Sequence, residues 1–172
     1  KIAEAQAYFA IQTRKQEMSD QYRQDMDRLA RRREFSESDK RLSSSIMEAG
    51  ISPRGLARIK SEGDKSFFGG KTNKQMKRKL NTGNKPWANK AHNVVLAGKT
   101  LANEMTAANI ENYGISSHDS ILHDNNDNND AVRTTIRNQQ GMNPEDFPAA
   151  EDTEKIQRRI EKSTSKIDSS NL

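Results

Sequence analysis

The fold of this chain is decided first by its opening residues, KIAEAQAYFAIQTRKQEMSDQYRQDMDRLARRRE (residues 1–34), which contain neither proline nor glycine. Such a stretch holds no helix-breaking residue and predicts one long α-helix. At ~100° per residue, six of its apolar side chains fall within about 80° of arc, a stripe as narrow as a coiled-coil seam. The six residues of this stripe are Tyr8, Ile11, Met18, Tyr22, Met26 and Leu29.

Two more apolar residues, Ile2 and Phe9, lie on another side of the same helix. A helix end that is apolar on two sides predicts a contact in addition to the stripe. That contact is either a second core contact within the domain or a partner that this chain does not contain. We expect Ile2, Phe9 and the stripe to form a partner interface, with homo-oligomerisation through this first helix.

The rest of the chain alternates short amphipathic segments with turn residues. Ser36 and Ser38 are suited to cap a second helix, and the Asn-rich segment 115–129 has the composition of a loop. The sequence therefore predicts an all-α fold, an elongated helical assembly with a long N-terminal helix and several shorter ones. We expect a helical domain over residues 1–162 and a flexible tail over residues 163–172. The predicted later helices are 37–49, 53–61, 73–80, 87–113 (as one helix or as two interrupted near Gly98), 129–140 and 148–163.

The composition excludes several classes of protein. Leu, Ile, Val and Phe number 28 of the 172 residues, about 16%, which is few for an independent globular core. The chain has no cysteine, which excludes a disulfide scaffold and a thiolate nucleophile. No apolar run approaches the ~18 residues that a membrane span requires.

The charge is unevenly distributed. Residues 1–112 carry a net charge of +9 and residues 113–172 a net −4, and nine basic residues occur between Asp64 and Glu104 without an acid. This pattern has two interpretations. The basic residues bind a polyanionic partner, or they form a solvent-exposed face whose positive charge is balanced by the acidic end of the chain. Candidate nucleic-acid contacts are Lys71, Lys74, Lys77, Arg78, Lys79, Lys85 and Lys90. Trp87 would either stack on an unpaired base or belong to the core.

Residues 44–59 have the spacing of a helix-turn-helix. Gly50 would take the turn and Ile51 would pack beneath it, leaving Arg54 and Arg58 to face DNA. An ordinary helical hairpin has the same pattern, so both interpretations stay open.

Catalytic signatures are missing from the sequence. It has neither a phosphate-binding glycine loop nor a nucleophile elbow, and its acids are scattered among cations. His118, Asp119, His123 and Asp124 do not have the spacing of a metal site on one helix face. We expect a non-enzymatic protein without a cofactor or a bound metal.

Three segments resemble the C-terminal half of the DNA-damage-inducible protein D family. They are AQAYFAIQTRKQE (residues 5–17), the Phe68-Gly69-Gly70 turn before a Lys-rich helix, and residues 129–160 with NDAVR, GMNPEDFPAAED and KIQRRI. The resemblance covers nearly the whole chain in order, and it is looser over residues 20–65.

The resemblance implies a bacterial or phage-encoded cytoplasmic protein of the SOS response, with an N-terminal BRO/anti-repressor-like domain that this chain lacks. It also implies a role in modulating recombination. The implied partner is either DNA, which includes single-stranded DNA, or a recombinase filament that is bound to DNA. Three functions therefore compete. They are a non-enzymatic binding module, an oligomerisation or regulatory domain of an anti-repressor or transcription regulator, and a metal-dependent nuclease, which is the least favoured.

Overall fold

The computed structural model describes the backbone of residues 2–170 and the side chains of residues 5–163. Residues 2–170 contain α-helices and two short 3₁₀ helices but no strand, so the predicted all-α fold with a long N-terminal helix is confirmed. The α-helices are α1 (Ile2–Glu48), α2 (Pro53–Phe67), α3 (Asn73–Lys79), α4 (Asn93–Tyr113), α5 (His118–Gln140) and α6 (Thr153–Ser170), and the 3₁₀ helices are Trp87–Asn89 and Pro144–Asp146.

The chain divides into two compact units. The terminal unit comprises the residues up to Ala30 together with those from Thr153 onward, and the central unit comprises Arg31–Asp152. Within the terminal unit, Arg159 of α6 donates two hydrogen bonds of 2.8 and 2.7 Å to the buried carboxylate of Asp25 in α1. None of the described helices is both long and apolar enough to cross a membrane.

The central unit is built around α5, which packs against both α2 and α4. One cluster of buried side chains contains Phe67, Phe68 and Trp87, and a second contains Leu42, Ile46 and Ile59. Glycines allow the helices to approach closely, because a Cβ atom on Gly63 would lie 2.2 Å from Nδ2 of Asn125.

The predicted break between a first and a second helix is wrong, because α1 continues to Glu48. Ser38, one of the two serines expected to cap a new helix, instead directs its hydroxyl to a backbone carbonyl one turn earlier, and Ser43 does the same. Ser38 Oγ donates to Phe35 O at 2.9 Å, and Ser43 Oγ donates to Asp39 O at 2.8 Å. A serine whose hydroxyl donates to a carbonyl of its own helix is compatible with a helix interior. Because this part of the chain also has neither proline nor glycine, the helix continues.

The predicted loop over residues 115–129 is also wrong, because α5 begins at His118 after the N-cap Ser117. The asparagines that indicated a loop lie on the inner face of this helix. Helix α6 extends to Ser170, beyond the predicted end at 163. Residues 171–172 of the predicted tail lie outside the described residues, and the flexibility of that tail stays a prediction.

Candidate nucleic-acid interface

The predicted basic helix is α3, and its amphipathic character is confirmed. Thr72 caps it, accepting a hydrogen bond from Gln75 N while the Gln75 side chain accepts one from Thr72 N, which completes a capping box. Met76 and Leu80 are buried in the core. This anchoring fixes the helix so that its lysines and Arg78 project away from the core. Cations in the last turn also stabilise the helix dipole, which is their purely structural role.

A groove of about 630 Å³ lies along α3 and the loop that follows it. Its lining consists of Asn73, Lys74, Lys77, Arg78 and the loop residues Asn81, Gly83 and Asn84. No carboxylate belongs to this lining. The groove therefore presents cations and amides only, which is the chemistry that recognises phosphate.

The loop is held in place by two of the predicted lysines. Lys90 Nζ donates to Asn81 O at 2.7 Å, and Lys77 Nζ lies 3.5 Å from Asn84 O. Asn81 has a φ of 52°, a left-handed conformation that asparagine tolerates better than most residues. Lys77 and Lys90 thus shape the wall of the groove.

The remaining lysines of the predicted set differ in their pairing. Lys79 forms an ion pair of 3.1 Å with Asp146, and Lys85 lies 3.9 Å from Asp152. Hydrogen bonds from Asn143 and then Lys79 lower the pKa of Asp146, and the positive charge of Lys71 adds to this effect. Lys74 and Arg78 are exposed and form no ion pair with any residue that the structure describes. They are the cations in this groove most available to an incoming anion.

Trp87 belongs to the core, which excludes stacking on a base at the surface. Its ring lies 5.0 Å from that of Phe68 and 5.3 Å from that of Phe35, and the residue is 4% exposed. Of the two interpretations of Trp87, the structure shows the core position.

Arg54 and Arg58 are exposed on α2, opposite the face that buries Ile59. Gly50 takes the turn before α2, with a φ of 85°, and Ile51 is partly buried beneath it, as the helix-turn-helix pattern predicts. A helical hairpin has this geometry too, so DNA reading by the two arginines stays a prediction.

A buried polar network between α2, α4 and α5 was missed by sequence reasoning. Lys99, one of the nine basic residues counted above, is 4% exposed, so it does not contribute to the basic surface. Its Nζ atom lies 2.9 Å from Asp64 Oδ1 and donates to Asn129 Oδ1 at 2.8 Å. The hint in the sequence is that Lys99 is the one charged residue in the mostly small and apolar run 94–102.

The apolar stripe of α1 is exposed along most of its length. Five of its six side chains, and Phe9, are between 42% and 68% exposed; Leu29, the sixth, is partly buried. The side chain of Ile2 lies outside the described residues. The exposed large apolar residues in this part of the helix are Tyr8, Phe9, Ile11, Met18, Tyr22 and Met26.

Two of the three histidines pair with neighbouring carboxylates. His118 Nδ1 lies 3.0 Å from Asp119 Oδ1, and His123 Nε2 lies 3.2 Å from Asp127 Oδ2. Among the described residues, no three His, Asp or Glu side chains come together in an arrangement that could hold a metal ion.

Residues 22–157 match the family described as the DinD C-terminal domain. The chain is also 30% identical over 154 residues to the DNA damage-inducible protein D of Escherichia coli, a match that covers 86% of this chain and 56% of the relative. The chain thus spans little more than half the length of that relative. No solved structure matches the chain.

Proposed function

This chain belongs to the DinD C-terminal domain family, and from that premise we propose that it acts in the response to DNA damage by binding DNA through the groove beside α3. The proposed role is binding rather than catalysis. The observation that carries it is the convergence of Lys74, Lys77 and Arg78 on a groove without a carboxylate.

The chemistry of the groove supports contact with the phosphate backbone and not reading of base sequence. Lysine and arginine donate to phosphate oxygens and release condensed counterions when they do so. The groove is lined by one helix of seven residues and the loop that follows it. We therefore expect weak sequence preference and a strong dependence of affinity on salt.

Charge reversal tests this proposal. The variant Lys74→Glu/Lys77→Glu/Arg78→Glu should lose at least about tenfold in affinity for fluorescein-labelled DNA in fluorescence polarisation. A matched control changes three exposed cations of α1, Arg14→Glu/Arg33→Glu/Lys40→Glu, and alters the net charge equally. Equal losses in the two triple variants, or none in either, would overturn the groove as the binding site.

A recombinase filament assembled on DNA is the partner implied by the family resemblance, and the same cations would then meet acidic protein surface. Polarisation with bare DNA and with filament-coated DNA separates the two. If the protein binds filament-coated DNA but not bare DNA, its partner is the filament and not DNA.

A second candidate function is oligomerisation through α1, favoured by the exposed stripe. The stripe residues are spaced by three, seven, four, four and three residues, so they share one narrow face of the helix as the seam of a coiled coil does. Their exposure in the single chain would be removed by pairing with a second copy. Sedimentation velocity over a range of concentrations tests this function, and a strict monomer at the highest concentration would exclude it.

A further inference from the structure

A second cavity, of about 310 Å³, adjoins the groove of α3. Asn73 and Lys77 line both spaces, so the two lie side by side. The second cavity lies entirely within the central unit, between α1, α2, α3 and the 3₁₀ helix Trp87–Asn89. Its volume falls at the lower end of small-molecule sites, which run from roughly 300 to 1,000 Å³.

The lining of this cavity differs chemically from that of the groove. Besides the cations Arg32, Lys60 and Lys77, it contains two carboxylates, Asp39 and Asp64, and two aromatic rings, those of Phe35 and Trp87. Carboxylates repel phosphate but accept hydrogen bonds from the amino and imino groups of a base. The partly buried ring of Phe35 offers apolar surface to a base, whereas Trp87, which is 4% exposed, contributes little surface of its own. The lining therefore fits a base better than a phosphate.

Both carboxylates are already charge-compensated, so the cavity carries no excess negative charge from them. Lys60 Nζ lies 2.8 Å from Asp39 Oδ2, and Lys99 Nζ lies 2.9 Å from Asp64 Oδ1. Each carboxylate nevertheless keeps lone pairs that can accept from a ligand.

Arg32 adds a planar cation to the same lining. Its guanidinium carbon lies 5.9 Å from the centre of the Phe35 ring, and its Nε donates to Asn89 Oδ1 at 3.1 Å. A guanidinium held in this way presents a flat surface on which unstacked bases are commonly bound.

We propose that this cavity accepts one unstacked base of a single-stranded nucleic acid whose phosphates lie in the groove of α3. The proposal rests on the proposed DNA-binding function and extends it to strand selectivity. Bases of a duplex are paired and stacked, so they cannot enter without being flipped out at an energetic cost.

Trp87 provides the readout, because it is the only tryptophan in the chain and lines this cavity. We expect single-stranded DNA to quench its fluorescence, whereas duplex DNA and a strand with abasic sites should bind without quenching. The variant Ser36→Phe places a ring in the cavity from α1, and Ser36→Ala is its matched control. Ser36→Phe should weaken single-strand binding about tenfold, leave duplex affinity within about twofold, and abolish quenching.

Retained duplex binding by Ser36→Phe shows that the variant is folded. Equal losses for single-stranded and duplex DNA, or quenching by the abasic strand, would overturn the base cavity while leaving the groove as a DNA site. If the unsubstituted protein binds neither DNA, the cavity proposal and the proposed function both fail.

Discussion

The side-chain amide of Asn125 in α5 donates a hydrogen bond of 3.0 Å to the main-chain carbonyl oxygen of Ile59 in α2. Its oxygen accepts from Asn129 Nδ2 of the same helix at 3.2 Å, and Thr106 Oγ1 of α4 lies 3.4 Å away. One buried amide therefore connects three helices, at the place where the sequence predicts a loop.

Removing this amide should destabilise the protein. We expect Asn125→Ala to lower the free energy of unfolding by about 2–3 kcal/mol, because it leaves a small cavity and buried polar groups without their partner. Urea denaturation measures this change. The control Asn138→Ala, at an exposed position of α5, should change stability by less than about 0.5 kcal/mol. Equal effects at both positions would contradict the role of Asn125.

Gly63→Ala should destabilise the protein, although alanine is ordinarily better than glycine in a helix by about 1 kcal/mol. The new methyl group would lie 2.2 Å from Asn125 Nδ2 and 3.0 Å from Asn129 Nδ2, so both buried amides would have to move. We expect a loss of about 2 kcal/mol in chemical denaturation. Ser61→Ala, at an exposed position of α2, is the control that reports helix propensity alone. A stabilising Gly63→Ala would show that α2 and α5 are not closely packed there.

The ion pair of Glu145 with Arg133 should make stability depend on pH. Arg133 also donates to Phe67 O at 2.9 Å, so the pair ties the end of α2 to the segment after α5. Burial raises the pKa of Glu145, but hydrogen bonds from Arg133 and the backbone outweigh burial, so its pKa lies below the ordinary value of 4.5. A lowered carboxylate pKa stabilises the fold above that value, and this contribution is lost as the pH falls below it.

We therefore expect Glu145→Gln to cost about 3 kcal/mol near neutral pH and to flatten the fall in stability below pH 4.5. Thermal unfolding between about pH 3 and pH 7 measures both effects. Glu48→Gln, at the exposed end of α1, should follow the unsubstituted protein. If the stability of Glu145→Gln changes with pH in the same way as that of the unsubstituted protein, the ion pair does not cause the loss of stability in acid.

If α1 pairs with a second copy, charges in its stripe should separate the copies. Met18→Glu/Tyr22→Glu places two carboxylates in the seam, and each lost apolar contact is worth about 2 kcal/mol. The dissociation constant from sedimentation equilibrium should rise more than tenfold, as an order-of-magnitude expectation. Ala10→Glu/Gln24→Glu adds the same charge at exposed positions of α1 away from the stripe and should leave association unchanged.

The two classes of lysine on α3 should differ in the salt dependence of DNA binding. Lys74→Gln should reduce the slope of log affinity against log salt by about 0.7–0.9, the value for one phosphate contact. Lys79 already pairs with Asp146 at 3.1 Å, so Lys79→Gln should reduce that slope less. Polarisation titrations at several salt concentrations give both slopes. Equal slopes for the two variants and the unsubstituted protein would mean that neither lysine contacts phosphate.

Which faces of α1 and α3 carry apolar or charged side chains was predictable from the sequence, because this depends on helical periodicity alone. The stripe of α1 and the anchoring of α3 by Met76 and Leu80 follow from the angles between residues on one helix. The roles of Lys99 and Trp87 were not predictable in this way. Whether a lysine or a tryptophan is buried depends on which partner, here Asp64 or Phe68, another segment brings to it.

The sequence by itself determined the all-α class, the lengths of chain free of helix breakers and the faces that carry cations or apolar groups. Only the tertiary structure decided that residues 118–129 are helical and that α1 continues past Ser36. The physical reason is the same in both places. Asparagine and serine side chains compete for the hydrogen bonds of the backbone when they have no other partner. Once their own hydrogen bonds are satisfied elsewhere, they no longer oppose a helix. For the asparagines those partners lie on α2 and α4. The hydroxyl of Ser38 donates to a carbonyl of α1 itself and accepts from Asn103 Nδ2 of α4 at 3.2 Å.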